Sequence, residues 1–330
     1  MYMGGTEIAI LNLIRVLDKT KFDIYIGYTD DTSDKELLKR MSKYAKIINI
    51  RENSASVDVM VNCSPYKSAT EYFNNVKFKR MHLWFHHFGG RDESIFNDEN
   101  YINSLDKIIA VSAATKNTML KQEYAEKIQG KVDVIYNILD KDILLKKAEE
   151  ECVIDKGCGL NLITISRLSK EKGFQRKLAL VEELVKRDID FKWYIVGSSY
   201  YKEEEDKIKA MFEKYKDKFV FLGMQQNPYK ILKQCDYLVQ LSDYETWGLT
   251  ITEAKLLGVP CIVSNFEAAF EQVRDMENGI ILSREHPETY KYRIDDIVNN
   301  KRKFKENVKA FIYNIDEIIE LWEEKLSTID

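Results

Sequence analysis

Four groups of residues in this 330-residue chain have side chains and spacing suited to chemistry. Glu245 and Glu253 stand eight apart in Asp243-Tyr244-Glu245-Thr246-Trp247-Gly248-Leu249-Thr250-Ile251-Thr252-Glu253. An ionised carboxylate accepts several hydrogen bonds at once, so two of them together suit a ligand rich in hydroxyl groups. The same acids also suit a helix start, whose dipole favours negative charge. Arg167 and Lys172, in Ser166-Arg167-Leu168-Ser169-Lys170-Glu171-Lys172-Gly173, offer a planar fork and a point charge able to hold a diphosphate. A solvated charged loop is the alternative. Gly4-Gly5-Thr6-Glu7 opens a helical pattern; glycines there let a phosphate approach free amides, or simply make a turn. His82, Trp84 and His86 share one strand face in His82-Leu83-Trp84-Phe85-His86-His87-Phe88-Gly89-Gly90. For His86, or its neighbour His87, a hydrogen bond to substrate and a satisfied, partly buried ring are both open.

Metal chemistry is not expected. No acid or cysteine stands at ligand spacing around the histidines. Asp188-Ile189-Asp190 has a metal-like pattern but precedes the strand-like run Phe191–Val196, at the sheet edge opposite to ligands, so it reads as a helix-to-strand turn.

The elements that must position these residues alternate. Strand-like runs fall at Phe22–Tyr28, Val57–Val61, Met81–Phe85, Ile108–Val111 and Val132–Ile135, then at Leu160–Ile165, Phe191–Val196, Phe219–Leu222, Tyr237–Gln240, Pro260–Val263 and Ile280–Leu282. Helical patterns such as Phe174–Lys186 and Leu249–Leu257 lie between them, which predicts an α/β fold with parallel sheets covered by helices. Arg167 and Glu245 then follow directly on strands, at the carboxyl edge where open α/β sheets bind ligands. The length calls for two domains. Apolar residues are sparse from Asp140 to Gly159, which reads as the linker, with the domains divided near residue 157. From Lys301, Phe304, Val308, Phe311, Ile312, Ile315, Ile318, Ile319 and Trp322 recur at helical spacing, as a terminal helix or helix pair.

Composition excludes several classes. Residues 1–150 carry 22 basic and 22 acidic residues and the remainder has a net charge of −4, without the basic stripe that nucleic acid requires. The five cysteines, Cys63, Cys152, Cys158, Cys235 and Cys261, form no Cys-x-x-Cys pair, which points to a reducing, cytoplasmic setting. No apolar run approaches the roughly 18 residues of a membrane span, and the first residues lack the regions of a signal peptide.

In order, these pieces resemble glycosyltransferase family 4, whose members have the GT-B fold. The resemblance covers nearly the whole chain and is strongest from Leu160 to Leu282. It rests on Arg167-x4-Lys172 with Gly173, Val196-Gly197, Leu222-Gly223, Glu245-x7-Glu253 around Trp247-Gly248-Leu249, Gly258 to Pro260, and Asn278-Gly279. Val111-Ser112 and Ile135-Tyr136-Asn137 match landmarks of the first half.

The resemblance implies two Rossmann-like domains facing a cleft: residues 1–157 for the acceptor, 158–300 for the nucleotide sugar, and a terminal helix from 301 to 330 that packs across the domains. Such an enzyme transfers a sugar, with retention, from a nucleotide-diphosphate donor, a UDP- or GDP-sugar, to a glycan or lipid-linked acceptor in bacterial polysaccharide assembly. It uses neither metal nor cofactor, and works in the cytoplasm or in peripheral contact with the inner face of the membrane. Arg167 and Lys172 would neutralise the diphosphate, Glu253 would bind the ribose hydroxyls and Glu245 would orient the sugar. Leu222 and Gly223 would lie beside the base, with Trp247, Gly248 and Leu249 lining the donor site. His86 would contact sugar or acceptor, and Gly4 and Gly5 would approach the phosphates.

Three departures stand out. The family begins with a strand where this chain has Met1-Tyr2-Met3; Ile138 replaces a glycine after Asn137; and Ala268-Ala269 replaces a glycine turn. The first motivates a rival reading, a non-catalytic subunit that stabilises a partner enzyme. A nucleotide-sugar epimerase on the same fold is another. Oligomeric state has no signature in the sequence.

Overall fold

The computed structural model describes residues 4–29, 35–64, 70–86, 94–154 and 156–327. Met1-Tyr2-Met3, His87 and Gly89-Gly90 lie outside the described residues. The chain divides into two compact units, Met1–Asp140 together with Asn314–Asp330, and Lys141–Tyr313.

The second unit is built on a six-stranded parallel sheet. Its strands are β9 (Leu160–Ile165), β10 (Phe191–Val196), β11 (Phe219–Gly223), β12 (Tyr237–Gln240), β13 (Cys261–Ser264) and β14 (Gly279–Leu282), in the spatial order β11-β10-β9-β12-β13-β14. These runs are apolar because helices cover both faces of such a sheet. Leu162, Ile163, Trp193, Ile195, Val239 and Ile262 are fully buried, each contributing roughly 1.5–3 kcal/mol of transfer free energy. The helix Phe174–Lys186 lays Phe174, Leu180, Val181 and Leu184 onto the sheet, as its period of apolar residues requires. The order matters for function. The chain winds outward from β9 through β10 to β11, then returns to the other side of β9 with β12, so the switch point lies between β9 and β12. That is where such sheets open a crevice at their carboxyl ends.

The first unit holds a four-stranded parallel sheet in the order β4 (Val59–Asn62), β6 (Arg80–Phe85), β7 (Lys107–Ala110), β8 (Val132–Val134). Two parallel pairs accompany it, β1 (Tyr25–Tyr28) with β2 (Lys46–Asn49), and β3 (Ala55–Ser56) with β5 (Val76–Lys77). Met81, Leu83, Phe85, Ile108 and Ala110 form the core under the larger sheet. Strands β2, β3 and β5 have no counterpart in the sequence reading, because they are short and half-exposed and show little apolar alternation.

The stretch read as a linker is partly a helix, Lys141–Ala148, anchored by buried Leu144 and Ala148. Asn227 donates to its Lys147 carbonyl at 2.8 Å, and Lys233 pairs with Glu149 just beyond it. The unit boundary accordingly falls at 140/141 rather than near residue 157. The C-terminal pattern is a helix pair, Lys301–Lys309 and Ile315–Leu326. The first belongs to the second unit, where Phe304 meets Tyr237; the second belongs to the first unit, where Trp322 sits edge-on to Trp84 at 4.5 Å. Among the described residues no helix is long and apolar enough to cross a membrane, and all five cysteines are free.

Candidate active site

Two loops meet at the switch point. One follows β9 and carries Arg167 and Lys172; the other follows β12 and carries Asp243 and Glu245. Their backbones are stitched together, the amide of Asp243 donating to the carbonyl of Glu171 at 2.8 Å. Gly173 makes that approach possible. Its φ is +68°, and a Cβ there would stand 1.7 Å from the carbonyl oxygen of Leu241, a contact that only glycine avoids. Arg176 Nε reaches the same Leu241 carbonyl at 2.8 Å, and its Nη2 pairs with Asp243 at 2.6 Å.

At the centre, Lys172 Nζ lies 2.8 Å from Glu245 Oε1. Ser242 Oγ and Gln240 Nε2 donate to the same oxygen at 2.8 and 2.7 Å. Burial pushes the Glu245 carboxyl up, but the charge and hydrogen bond of Lys172, with those from Ser242 and Gln240, outweigh it and hold the group below the usual carboxylate value. Gln240 also accepts from Thr250 Oγ1 at 2.6 Å, tying Glu245 to the start of the helix Leu249–Leu256. Gly248, at φ +82°, turns the chain into that helix.

Glu253, on the same helix, is buried and accepts from the Tyr229 hydroxyl at 2.8 Å. Burial raises its carboxyl to about 7 against the opposing effects of Tyr229 and Lys147. Arg167 does not reach either glutamate. It pairs with Glu171 at 3.0 Å and lies over the ring of Tyr200, 5.2 Å from its centroid.

The remaining candidates occupy defined places. Trp247 is buried, and its carbonyl accepts from Gln272 Nε2 at 2.5 Å. Leu249 is the first residue of its helix. Leu222 and Gly223 end β11; Gly223, at φ +65°, accepts through its carbonyl from the Gly197 amide at 2.8 Å. In the first unit, His86 follows β6 and is 9% exposed, its ring 4.5 Å from that of Trp84. Gly4 precedes the helix Gly5–Val16 and donates to Glu7 Oε2 at 3.0 Å. Asp190 is held by Lys218 at 2.8 Å and by the Gly159 amide, beside Asp188 at φ +54°, which makes Asp188-Ile189-Asp190 a turn. Among the described residues no three His, Cys, Asp or Glu side chains cluster as metal ligands would.

Residues 159–317 match the sequence profile described as Glycosyl transferases group 1. These residues are a group 1 glycosyltransferase domain, and the chain has the GT-B fold. An uncharacterized glycosyltransferase of Methanocaldococcus jannaschii is 26% identical over 309 residues, covering 90% of this chain and 72% of its own. Two further bacterial relatives are longer, and this glycosyltransferase spans 52% and 51% of them. Among solved structures, a glycosyltransferase from Rickettsia africae superposes with a TM-score of 0.77 at 19% identity, over 99% of this chain and 95% of that one. Anabaena HepE in complex with UDP and glucose gives 0.74 at 16%, over 99% and 96%.

The structure thus brings Lys172 and Glu245 into contact, joins Glu253 to them through one helix, and leaves Arg167 with Glu171. Gln240, Ser242, Arg176 and Tyr229 were missed in the sequence reading. Ser242 and Asp243, just beyond a strand end and next to Glu245, were the one available signal; the partnership of Tyr229 with Glu253 spans segments that no local pattern connects.

Proposed function

We propose that this glycosyltransferase is a retaining, metal-independent enzyme that moves a sugar from a UDP- or GDP-sugar to a glycan or lipid-linked acceptor. The Lys172–Glu245 pair at the switch point carries the reading. A departing diphosphate gains negative charge, and a fixed ammonium stabilises it without reorganisation. Lys172 exchanges Glu245 for the diphosphate, which frees Glu245 Oε1 to accept from sugar hydroxyls while Ser242 and Gln240 keep the carboxylate in place. Glu253, steadied by Tyr229, takes the ribose hydroxyls, and Arg167 adds a second cation from the same loop. Leu222 and Gly223 flank the base. His86, Gly4 and Gly5 serve from the first unit, and the phosphate itself removes the acceptor proton on the face it leaves. The UDP complex of the Anabaena relative supports a uridine donor.

A thermal-shift screen of UDP- and GDP-sugars tests the reading, since a ligand of the native state raises the midpoint by mass action. Stabilisation by one donor, with sugar transfer to an added acceptor, is the expected result. Binding without transfer or hydrolysis favours the non-catalytic subunit, and isomerisation without acceptor favours an epimerase. No response to any nucleotide sugar overturns the donor assignment.

A further inference from the structure

Beneath the Lys172–Glu245 pair lies a lysine that the donor reading does not use. Lys177, one turn into the helix Phe174–Lys186, is 1% exposed. Its Nζ donates to the backbone carbonyl of Lys172 and sits 4.5 Å from the centroid of the Phe174 ring. An interior lysine flanked by two other cations is costly unless something compensates. The charges around it do not. Lys172 and Arg176 are cations, and Glu245 and Asp243 are the anions that face them, so these four groups balance before Lys177 is counted. A proton on Lys177 leaves an excess positive charge in the empty site.

We propose that Lys177 is a positioning residue whose ammonium completes the donor site: arrival of the diphosphate draws a proton from solvent onto its Nζ, so that donor binding and proton uptake are linked. The inference rests on the donor reading above. Burial first, then the nearby Arg176 and Lys172, bring the Lys177 amine down to about 7, while Glu245 and Asp243 act the other way. In the free protein a substantial share of the molecules therefore holds the neutral amine at neutral and mildly alkaline pH. A neutral amine still donates to the Lys172 carbonyl, so the turn survives in both states. What changes is the charge beneath the phosphates. Each unit by which the bound diphosphate raises the affinity of Nζ for its proton corresponds to about tenfold tighter diphosphate binding by the protonated form.

Calorimetry of UDP and of GDP on the intact chain at pH 8.5, in two buffers of different ionisation enthalpy, tests this. At that pH the terminal phosphate, with a pKa of about 6, is already fully ionised and contributes no proton. The wild type is expected to take up on the order of half a proton per nucleotide bound, and its affinity to weaken about tenfold from pH 7 to pH 9. Lys177→Met is expected to bind without uptake and with a flat profile over that range. Binding by the wild type without uptake overturns the inference and leaves the donor reading intact, whatever the variant does. So does uptake that persists in Lys177→Met, which would place the proton elsewhere, for example on Lys255, buried on the helix Leu249–Leu256 with its amine on the Gln272 carbonyl at 2.6 Å. A purely structural role would weaken Lys177→Met equally at every pH, and that result also overturns it. If neither nucleotide binds at any pH, the donor reading fails and takes the inference with it.

Discussion

Lys172 and Glu245 are 73 residues apart in the sequence and 2.8 Å apart in space, on loops that leave neighbouring strands of one sheet. The pair is largely shielded from water, with side chains 16% and 15% exposed, so removing one partner leaves the other poorly compensated. Lys172→Met should therefore cost about 1–3 kcal/mol of stability at pH 7, with Ser242 and Gln240 softening the loss. The pH dependence has a definite sign. Glu245 is held below its ordinary 4.5, so its contribution is present above that value and is lost as the pH falls through the lowered one. Urea titrations at pH 7 and at successively lower pH should show the gap between wild type and variant closing in acid. A gap that stays constant into acid means that the difference does not come from the ionised pair.

Gly173 fixes how closely the two loops approach. An alanine there would have to relieve both a left-handed φ of +68° and a Cβ at 1.7 Å from a backbone oxygen. Gly173→Ala is expected to destabilise by about 2–4 kcal/mol. For a unit of this size that lowers the thermal midpoint by about 5–15 °C. A midpoint within 2 °C of wild type would show that the loop moves away at little cost.

Gln240 is the joint between the carboxylate and the helix, accepting from Thr250 while donating to Glu245. Leucine would fill its volume but break both bonds. On the proposed reading Glu245 is then free to turn, and small misplacements at a reacting centre cost up to about a hundredfold in rate. Gln240→Leu should lower kcat by about tenfold to a hundredfold and change the KM for the donor by less than about threefold. Steady-state kinetics with the donor found by screening decide it; the reverse pattern would make Gln240 a binding residue.

How much of this was legible in the sequence differs between the units for a physical reason. Strands β9, β10, β12 and β13 are buried over nearly their whole length, so Leu160–Ile165 and Phe191–Val196 read as predominantly apolar runs, and their bounds in the structure coincide with the reading. In the first unit, Lys46–Asn49 is half-exposed and short, and its role depends on pairing with Tyr25–Tyr28. Pairing is not a local property. The site divides likewise. Glu245, Glu253, Arg167 and Lys172 showed through residue type and spacing beside strand ends, whereas Lys177 carries no signal of its own in the sequence. Only the packing of Phe174–Lys186 against the sheet reveals that this lysine points inward.

Glu253 supplies the sharpest test, because the same burial that suits it to a ligand makes it a liability when the site is empty. Burial moves its carboxyl from 4.5 to about 7, so the folded state resists ionisation that the unfolded chain undergoes freely. A raised value means that this residue favours folding fully below pH 4.5 and progressively loses that advantage as the pH rises through 7. The loss amounts to roughly 3 kcal/mol by the linkage of pKa to free energy. Glutamine keeps an oxygen for the Tyr229 hydroxyl and carries no charge. Glu253→Gln should thus match the wild type within about 1 kcal/mol at pH 5 and exceed it by about 1–3 kcal/mol at pH 8, in denaturant titrations without ligand. If the carboxylate binds donor hydroxyls, the same variant binds UDP or GDP more weakly at pH 8. A variant that gains stability with undiminished nucleotide affinity would separate Glu253 from the donor site, and one that gains no stability at pH 8 would mean that the buried carboxylate is solvated in a way the packing around Tyr229 does not show.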